Sequence, residues 1–322
     1  MRVLVTGGAG FIGSAIARRL PEVAVLDDLS GGYWRNIPDG VPFYAHSLVD
    51  AEATERTIAD YKPEVIVHAA AYAAEGLSHW MRRYCFTQNL VGWASLANAA
   101  VRHDVRRIVA LSSMSVYGSQ QTPFTENLIP QPEDPYGAGK AAVEADIRAL
   151  GAVQGTEWII VRPHNVYGPG QNLADPYRNV VAIFMRQALT GQALTVFGDG
   201  LQTRAFSYID DVANAIAQMA LGPKHGYIVN VGGDDAIPII ALAERVIKAT
   251  GAIRAVTHLP TRYEVRDAWC RHDVLRSLLA WKPTSLEVGL PAMAEWARDL
   301  QIGPLRQYDY EVDRRLYAAW QR

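Results

Sequence analysis

Tyr136-Gly137-Ala138-Gly139-Lys140 sets a phenol and an ammonium four residues apart, which on a helix is one face. An ordinary tyrosine is a poor base at neutral pH. Bringing its pKa from about 10 to about 7 takes roughly 4 kcal/mol of differential stabilisation. A lysine one turn away supplies nearby charge of the required sign. The spacing is also common on plain surface helices, but here it follows Pro135, a natural first residue of a helix. Upstream, Ile108-Val109-Ala110-Leu111 reads as a buried strand that delivers Ser112, Ser113 and Ser115 at its C-terminal end. Any of these hydroxyls is able simply to cap a turn. One of them placed beside the phenol would complete a Ser–Tyr–Lys set for moving a proton on an alcohol or ketone.

A second constellation lies at the start of the chain. Val3-Leu4-Val5-Thr6-Gly7-Gly8-Ala9-Gly10-Phe11-Ile12-Gly13 is a strand, a glycine-rich turn and a helix start. Gly7, Gly10 and Gly13 serve the tight bend, the approach of backbone to a pyrophosphate, and helix–strand packing. Such a turn presents amides to phosphate groups. Asp27 follows twenty residues after Gly7, at the end of a second apolar run, where a carboxylate accepts from the adenosine ribose and repels a 2′-phosphate. The pair points to NAD in preference to NADP, and the positive nicotinamide ring would add to the charge beside Tyr136.

The elements that must position these groups alternate. Apolar runs at 3–5, 23–26, 65–67, 108–111 and 158–161 read as parallel strands. Helical stretches lie at 11–20, 51–60, 84–102 and from Tyr136 to about Gln154. This predicts a doubly wound parallel α/β sheet of Rossmann type, with ligands at the C-terminal strand ends. Pro163, Gly168, Pro169, Gly170 and Pro176 change the punctuation, and shorter mixed elements follow. A dinucleotide-binding domain is therefore expected over 1–165. A smaller mixed α/β substrate domain is expected over 166–322, with part of 205–232 returning to the first sheet. The chain has 322 residues, 31 Lys+Arg and 33 Asp+Glu, giving a formal charge of −2. That balance offers no footprint for nucleic acid or an anionic membrane. Two cysteines are too few for a disulfide framework or a Cys-rich zinc site, and no metal is expected. No run of apolar residues is long enough for a membrane span, and the first strand begins at the N-terminus where a signal peptide would lie, so the expected address is the cytoplasm.

Further motifs follow in order: His68-Ala69-Ala70, Asn89-Leu90-Val91-Gly92, Arg162-Pro163-His164-Asn165-Val166-Tyr167-Gly168-Pro169, Phe197-Gly198-Asp199-Gly200, Gln202-Thr203-Arg204 and Trp281-Lys282-Pro283. With the glycine turn and Pro135-Tyr136-Gly137, this run resembles the extended short-chain dehydrogenase/reductases of the NAD-dependent nucleotide-sugar epimerase/dehydratase family over nearly the whole chain. The resemblance implies Ser113, Tyr136 and Lys140 as the catalytic set. It implies Gly7, Gly10, Phe11, Ile12, Gly13, Asp27, Leu48, Ala69, Ala70 and Asn89, with Tyr136 and Lys140, at the cofactor. It implies Asn165, Thr195, Phe197 and Arg204, with Ser113, at a nucleotide-sugar substrate, a UDP-sugar being favoured. Arg262 and Glu264 fall where the family serves the base-side phosphate and ribose, but its Arg-Pro-Gly-Asp pattern is altered there to Arg262-Tyr263-Glu264. A homodimer through the 84–102 and 136–154 helices is also implied.

The departures bear on the reaction. Ser47 stands in His46-Ser47-Leu48 where the family often has Asp, His164 replaces an aromatic residue, and Ala205 replaces an Asp after Arg204. Relatives that dehydrate or decarboxylate resemble one another in an acid just after the catalytic hydroxyl, and this chain has Met114-Ser115 there. Neither can move a second proton. The leading expectation is a nucleotide-sugar 4-epimerase that works through a transient 4-keto sugar. The alternative is a dehydratase or other oxidoreductase with its acid elsewhere, at Glu75, His79 or His164; a non-catalytic NAD-binding regulator is a third. Tyr72, Glu75, His79, Trp80, Arg82 and Arg83 fall where the family lines the sugar pocket, although Arg82 and Arg83 also read as a solvated helix face.

Overall fold

The apolar runs of the first half form one seven-stranded sheet in the computed structural model, which describes residues 1–252, 255–317 and 320. Its strands are β1 Val3–Thr6, β2 Val23–Leu26, β3 Phe43–Tyr44, β4 Val65–His68, β5 Arg107–Leu111 and β6 Glu157–Pro163. The seventh comes from later in the chain. The spatial order is β3, β2, β1, β4, β5, β6 and then Tyr227–Val231, and every neighbour pairs parallel. β1, β2, β4 and β5 are buried throughout, as Val/Ile-rich strands covered on both faces should be. The strand order reverses between β1 and β4, and that switch point opens a crevice beyond their C-terminal ends.

Helices α1 Phe11–Ala17, α2 Ala51–Tyr61, α3 Arg82–Phe86, α4 Gly92–Arg102 and α5 Pro135–Gln154 make the crossovers. α1 stops short of residue 20 because Arg19 and Leu20 bond back three residues and Pro21 cannot continue the helix. Asp134 caps α5 by accepting from the Gly137 N–H, Pro135 takes the first helical position, and Gly155 closes the far end at φ 74°. The stretch expected as one helix over 84–102 is α3, a π-helical turn at Thr87–Val91, and α4. That wider turn contains Asn89, whose amide exchanges two hydrogen bonds with the Tyr72 backbone.

Beyond β6 the elements shorten. They are β7 Val166–Tyr167, α6 Val180–Leu189, β8 Leu194–Phe197, β9 Thr203–Ala205, β10 Ser207–Tyr208, α7 Ile209–Leu221 and β11 Tyr227–Val231, the seventh strand of the large sheet. After these come β12 Ala236–Pro238, α8 Ile239–Thr250, β13 Val256–Leu259, β14 Asp267–Ala268, α9 Asp273–Leu278 and α10 Leu286–Arg298. One core packs α1 and α7 on the large sheet. Another packs α6, α8 and α10 with β8, around Phe184, Met185, Leu242, Val246 and Met293. β12–β9–β14 and β13–β8 are small separate sheets. Residues 299–317 have no regular structure and return to the first half of the chain, where Trp80 donates to the Arg314 carbonyl and Glu311 accepts from the Arg83 and Tyr84 amides. Among the described residues no helix is long and apolar enough to cross a membrane, and no group of three His, Cys, Asp or Glu is placed to hold a metal.

Candidate active site

The crevice at the strand switch deepens into a cavity of about 570 Å³. On one side lies the glycine turn. Gly7 sits at φ 71°, and a Cβ there would fall 2.6 Å from the Ala70 backbone. One on Gly13 would fall 2.2 Å from the Gly7 carbonyl oxygen. Only glycine allows this approach. Gly7, Gly10, Phe11, Ile12, Gly13, Leu48, Ala69 and Ala70 all line the cavity. Asp27 lies at its edge with Oδ2 accepting from the Ala9 N–H at 3.0 Å and Oδ1 from the Leu29 N–H at 2.8 Å. Burial raises its carboxyl above the usual range, and backbone amides pull it back. Asn89 is placed differently: it is buried under the loop after β4 and braces Tyr72 at 2.7 Å, rather than forming part of the cavity wall.

At the end of β5, Ser113 Oγ accepts from the Ser115 N–H at 3.1 Å, and its hydroxyl lies close enough to Tyr136 to draw the phenol down. Lys140, one turn along α5, donates from Nζ to the Leu111 carbonyl at 2.6 Å, with Nζ 5.8 Å from the Tyr136 ring centre. All three line the cavity. Burial pushes the Tyr136 phenol well above its ordinary value, while the Ser113 hydroxyl opposes this and Glu75 and Asp134 add to it. Burial also pushes Lys140 down to about 8, so it remains an ammonium at pH 7. The neighbouring serines do other work. Ser112 donates to Glu144 at 2.5 Å, and Glu144 forms a buried fork with Arg162, which in turn donates to Tyr117. Ser115 Oγ is buried without a partner among the described residues.

The opposite wall carries Asn165, Thr195, Phe197, Arg204 and Arg262. Asn165 sits at φ 41° and donates to the Ala205 carbonyl at 2.9 Å. Thr195 accepts from Gln187 at 2.9 Å. Arg262 stacks over Phe197 at 4.4 Å and pairs with Glu264 at 2.8 Å. Arg204 is anchored on the Thr203, Val265 and Arg266 carbonyls, and Glu264 lies 3.7 Å away, so a carboxylate stands near it although residue 205 is Ala. Tyr72, Glu75 and His79 reach the cavity, whereas Arg82 and Arg83 face solvent. His164 does not line it: the ring is 1% exposed and stacks on His272, with its Nε2 at 2.9 Å from the partner nitrogen.

Several wall residues carry no local signal. In sequence Asp134 reads only as a residue before Pro135, yet it lines the cavity, and burial together with Glu75 lifts its carboxyl to about 7. Arg178, Tyr308, Tyr317 and Trp320 reach the wall from segments far apart in the chain. The donor and acceptor set fits a dinucleotide. A cradle that any Cβ would fill faces a ribose-type acceptor at Asp27, and the Tyr136–Lys140 pair stands at the other end.

Similarity to known proteins points the same way. A "UDP-glucose 4-epimerase" of Mycolicibacterium smegmatis is 35% identical over 93% of this chain and 99% of its own length. A "dTDP-glucose 4,6-dehydratase" of Streptomyces niveus is 30% identical over 93% of both chains. The crystal structure of a Thermus thermophilus UDP-glucose 4-epimerase in complex with NAD superposes with a TM-score of 0.87 at 34% identity, covering 93% of this chain and 99% of that one. The model of the NAD dependent epimerase/dehydratase family matches residues 3–232. With that match, and the glycine cradle and Tyr136–Lys140 pair meeting in one cavity, the chain belongs to the NAD dependent epimerase/dehydratase family.

Proposed function

We propose that this protein is an NAD-dependent 4-epimerase of a nucleotide hexose, with a UDP-hexose as the favoured substrate. The observation that carries the reading is the juxtaposition in one cavity of Ser113, Tyr136 and Lys140 with the wall of Asn165, Thr195, Phe197 and Arg204, while Met114 and Ser115 follow the catalytic hydroxyl. Burial holds the phenol of Tyr136 up; the positive charge that bound NAD would bring, beside Lys140, would offset that burial, and Tyr136 as phenolate takes the proton of the C4 hydroxyl. Ser113 holds O4 and the phenol on one hydrogen-bonded line. The Lys140 ammonium favours the phenolate, and NAD held by the Gly7–Gly13 turn and Asp27 would supply a reversible hydride acceptor for C4. After the 4-keto sugar turns its other face toward the nicotinamide end of the cavity, Tyr136 gives the proton back to O4. Arg262 on Phe197 and the Asn165–Ala205 contact form the nucleotide end. The homodimer through the 84–102 and 136–154 segments is part of the same proposal, and sedimentation at monomer mass removes it.

Support comes from the M. smegmatis and T. thermophilus relatives, both called UDP-glucose 4-epimerases. A second reading has its own observation: Glu75 and Asp134 share the cavity with Tyr136, and both carboxyls are raised. A protonated carboxyl there is an acid for expelling water. Incubating the purified protein, without added NAD, with UDP-glucose, UDP-N-acetylglucosamine, UDP-glucuronate and GDP-mannose separates the two. A second anomeric proton signal at unchanged mass is the expected result. A product lighter by one water assigns the dehydratase reading instead.

A further inference from the structure

Arg178 lies in the loop between β7 and α6, outside every motif of the sequence. Its guanidinium reaches the dinucleotide side of the cavity, where a Cβ built on Gly31 would meet Arg178 Nη2 at 3.3 Å. Gly31 belongs to the loop after Asp27, and that loop folds onto the glycine turn. Tyr33 N–H donates to the Ala9 carbonyl at 3.0 Å, and a Cβ on Gly32 would sit 2.6 Å from the Ala9 backbone. Arg178 thus lies against the loop that packs on the glycine turn, and both it and the turn line the same cavity.

The side chain is held there from behind. Arg178 Nε donates to Asp175 Oδ2 at 3.0 Å, and the Asp175 side chain is 0% exposed. The same Oδ2 accepts from the Tyr308 hydroxyl at 2.7 Å. Tyr308 belongs to the irregular C-terminal segment, which is pinned nearby by the Arg306 N–H on the Ala174 carbonyl at 2.7 Å. Among the described residues neither terminal nitrogen of Arg178 has a hydrogen-bond acceptor. A guanidinium with its Nε fixed and its outer fork unfilled is shaped for a bidentate oxyanion.

We propose that Arg178 clamps the diphosphate of the bound dinucleotide, and that the C-terminal segment, through Tyr308 and Asp175, sets the clamp. This rests on the dinucleotide reading of the cavity but not on which sugar reaction follows. The clamp closes the side of the cofactor opposite the glycine turn. An epimerase that returns its hydride within each turnover has no need to exchange the cofactor, so a latch built from a distant segment suits that chemistry.

The test compares the unaltered protein with Arg178→Ala, Arg178→Lys and Tyr308→Phe. It measures NAD and NADH retained per protomer after purification, the dissociation rate of NADH by its fluorescence, and UDP affinity by calorimetry. Arg178→Ala is expected to speed NADH loss roughly ten- to a hundred-fold, the scale of lost hydrogen bonds to a charged group, with UDP affinity unchanged. Arg178→Lys, which keeps the charge and loses the fork, falls between. Tyr308→Phe, which leaves Arg178 in place but frees Asp175, speeds NADH loss several-fold with unchanged circular dichroism. Wild-type NADH dissociation in Arg178→Ala overturns the clamp. So does a loss confined to UDP, which would place Arg178 at the substrate. A wild-type protein that neither retains nor binds NAD overturns the dinucleotide reading itself, and the clamp with it.

Discussion

Lys140 is buried one helical turn from the proposed catalytic phenol. It is 4% exposed, its ammonium donates to the Leu111 carbonyl, and burial holds it down to about 8 from an ordinary 10.5. Below pH 8 the folded chain carries a buried charge that the unfolded chain carries in water. Between about 8 and 10.5 the unfolded chain binds the proton and the folded chain does not, so stability rises with pH over that window. The burden is about 3 kcal/mol at pH 7 and falls to about 1 kcal/mol at pH 9.5. Lys140→Met removes the titration. It also strands the Leu111 carbonyl, at a pH-independent cost of about 1–3 kcal/mol. The informative quantity is therefore how the difference between the two proteins changes with pH. In cofactor-free protein, the unfolding free energy of wild type relative to Lys140→Met should rise by about 2 kcal/mol from pH 7 to pH 9.5, measured by urea titration at both pH values. The same variant should lose turnover, because the phenolate of Tyr136 loses its neighbouring charge. A difference that stays flat with pH would show that Lys140 is no more costly to bury charged than to leave in water, and would refute this linkage.

Three further predictions stand on separate parts of the fold. Glu144→Gln strands the Arg162 guanidinium, which is 1% exposed, and should cost about 3–5 kcal/mol in denaturant unfolding. A loss under about 1 kcal/mol contradicts the buried pair as drawn. Gly7→Ala puts a methyl at φ 71° and 2.6 Å from the Ala70 backbone, so the purified variant should hold little NAD even where it folds. Full NAD content in that variant would mean the cradle tolerates a Cβ after all. Burial holds the rings of His68 and His164 down to about 3, so both stay neutral in the folded chain while the unfolded chain protonates below about 6.5. Their contribution is complete above 6.5 and is lost as pH falls toward 3, about 2 kcal/mol for each by pH 5. His164→Gln should remove its share of that slope in melts between pH 7 and pH 5.

What the sequence makes legible is what local spacing encodes. The strand–turn–helix around Gly7 to Gly13 and the one-turn separation of Tyr136 from Lys140 are contained in short windows, and the structure brings both to the same cavity. The buried strands β1, β2, β4 and β5 follow from Val/Ile runs that only a doubly covered sheet can bury. What escapes is built by tertiary contact. Asp175, Arg178 and Tyr308 meet across 133 residues of chain, and nothing in their neighbours announces it. His164 looks available for substrate until His272, 108 residues on, is seen stacked on it. Asn89 lies in a motif shared with cofactor sites, but the π-helical turn aims its amide at the Tyr72 backbone, so whatever it does for the cofactor passes through that loop. Arg204 falls at a nucleotide-sugar position by resemblance and lines the cavity, and no short window shows the three backbone carbonyls that also hold its guanidinium.

The absence of an acid at Met114-Ser115 speaks against dehydration in the sequence, and the cavity weakens that point by bringing in Glu75 and Asp134 from other segments. In the proposed epimerase, carbon-bound hydrogen moves only between C4 and the cofactor, with Tyr136 handling the hydroxyl proton. This is tested most directly by turnover of the active nucleotide sugar in deuterium oxide, followed by proton NMR and mass of the recovered sugar. The expected product is a C4 epimer with no deuterium on carbon, and Tyr136→Phe should lose this reaction. Deuterium at C5 would contradict this, because the carbon beside the 4-ketone would then have exchanged its proton with solvent through a carboxyl group such as that of Glu75.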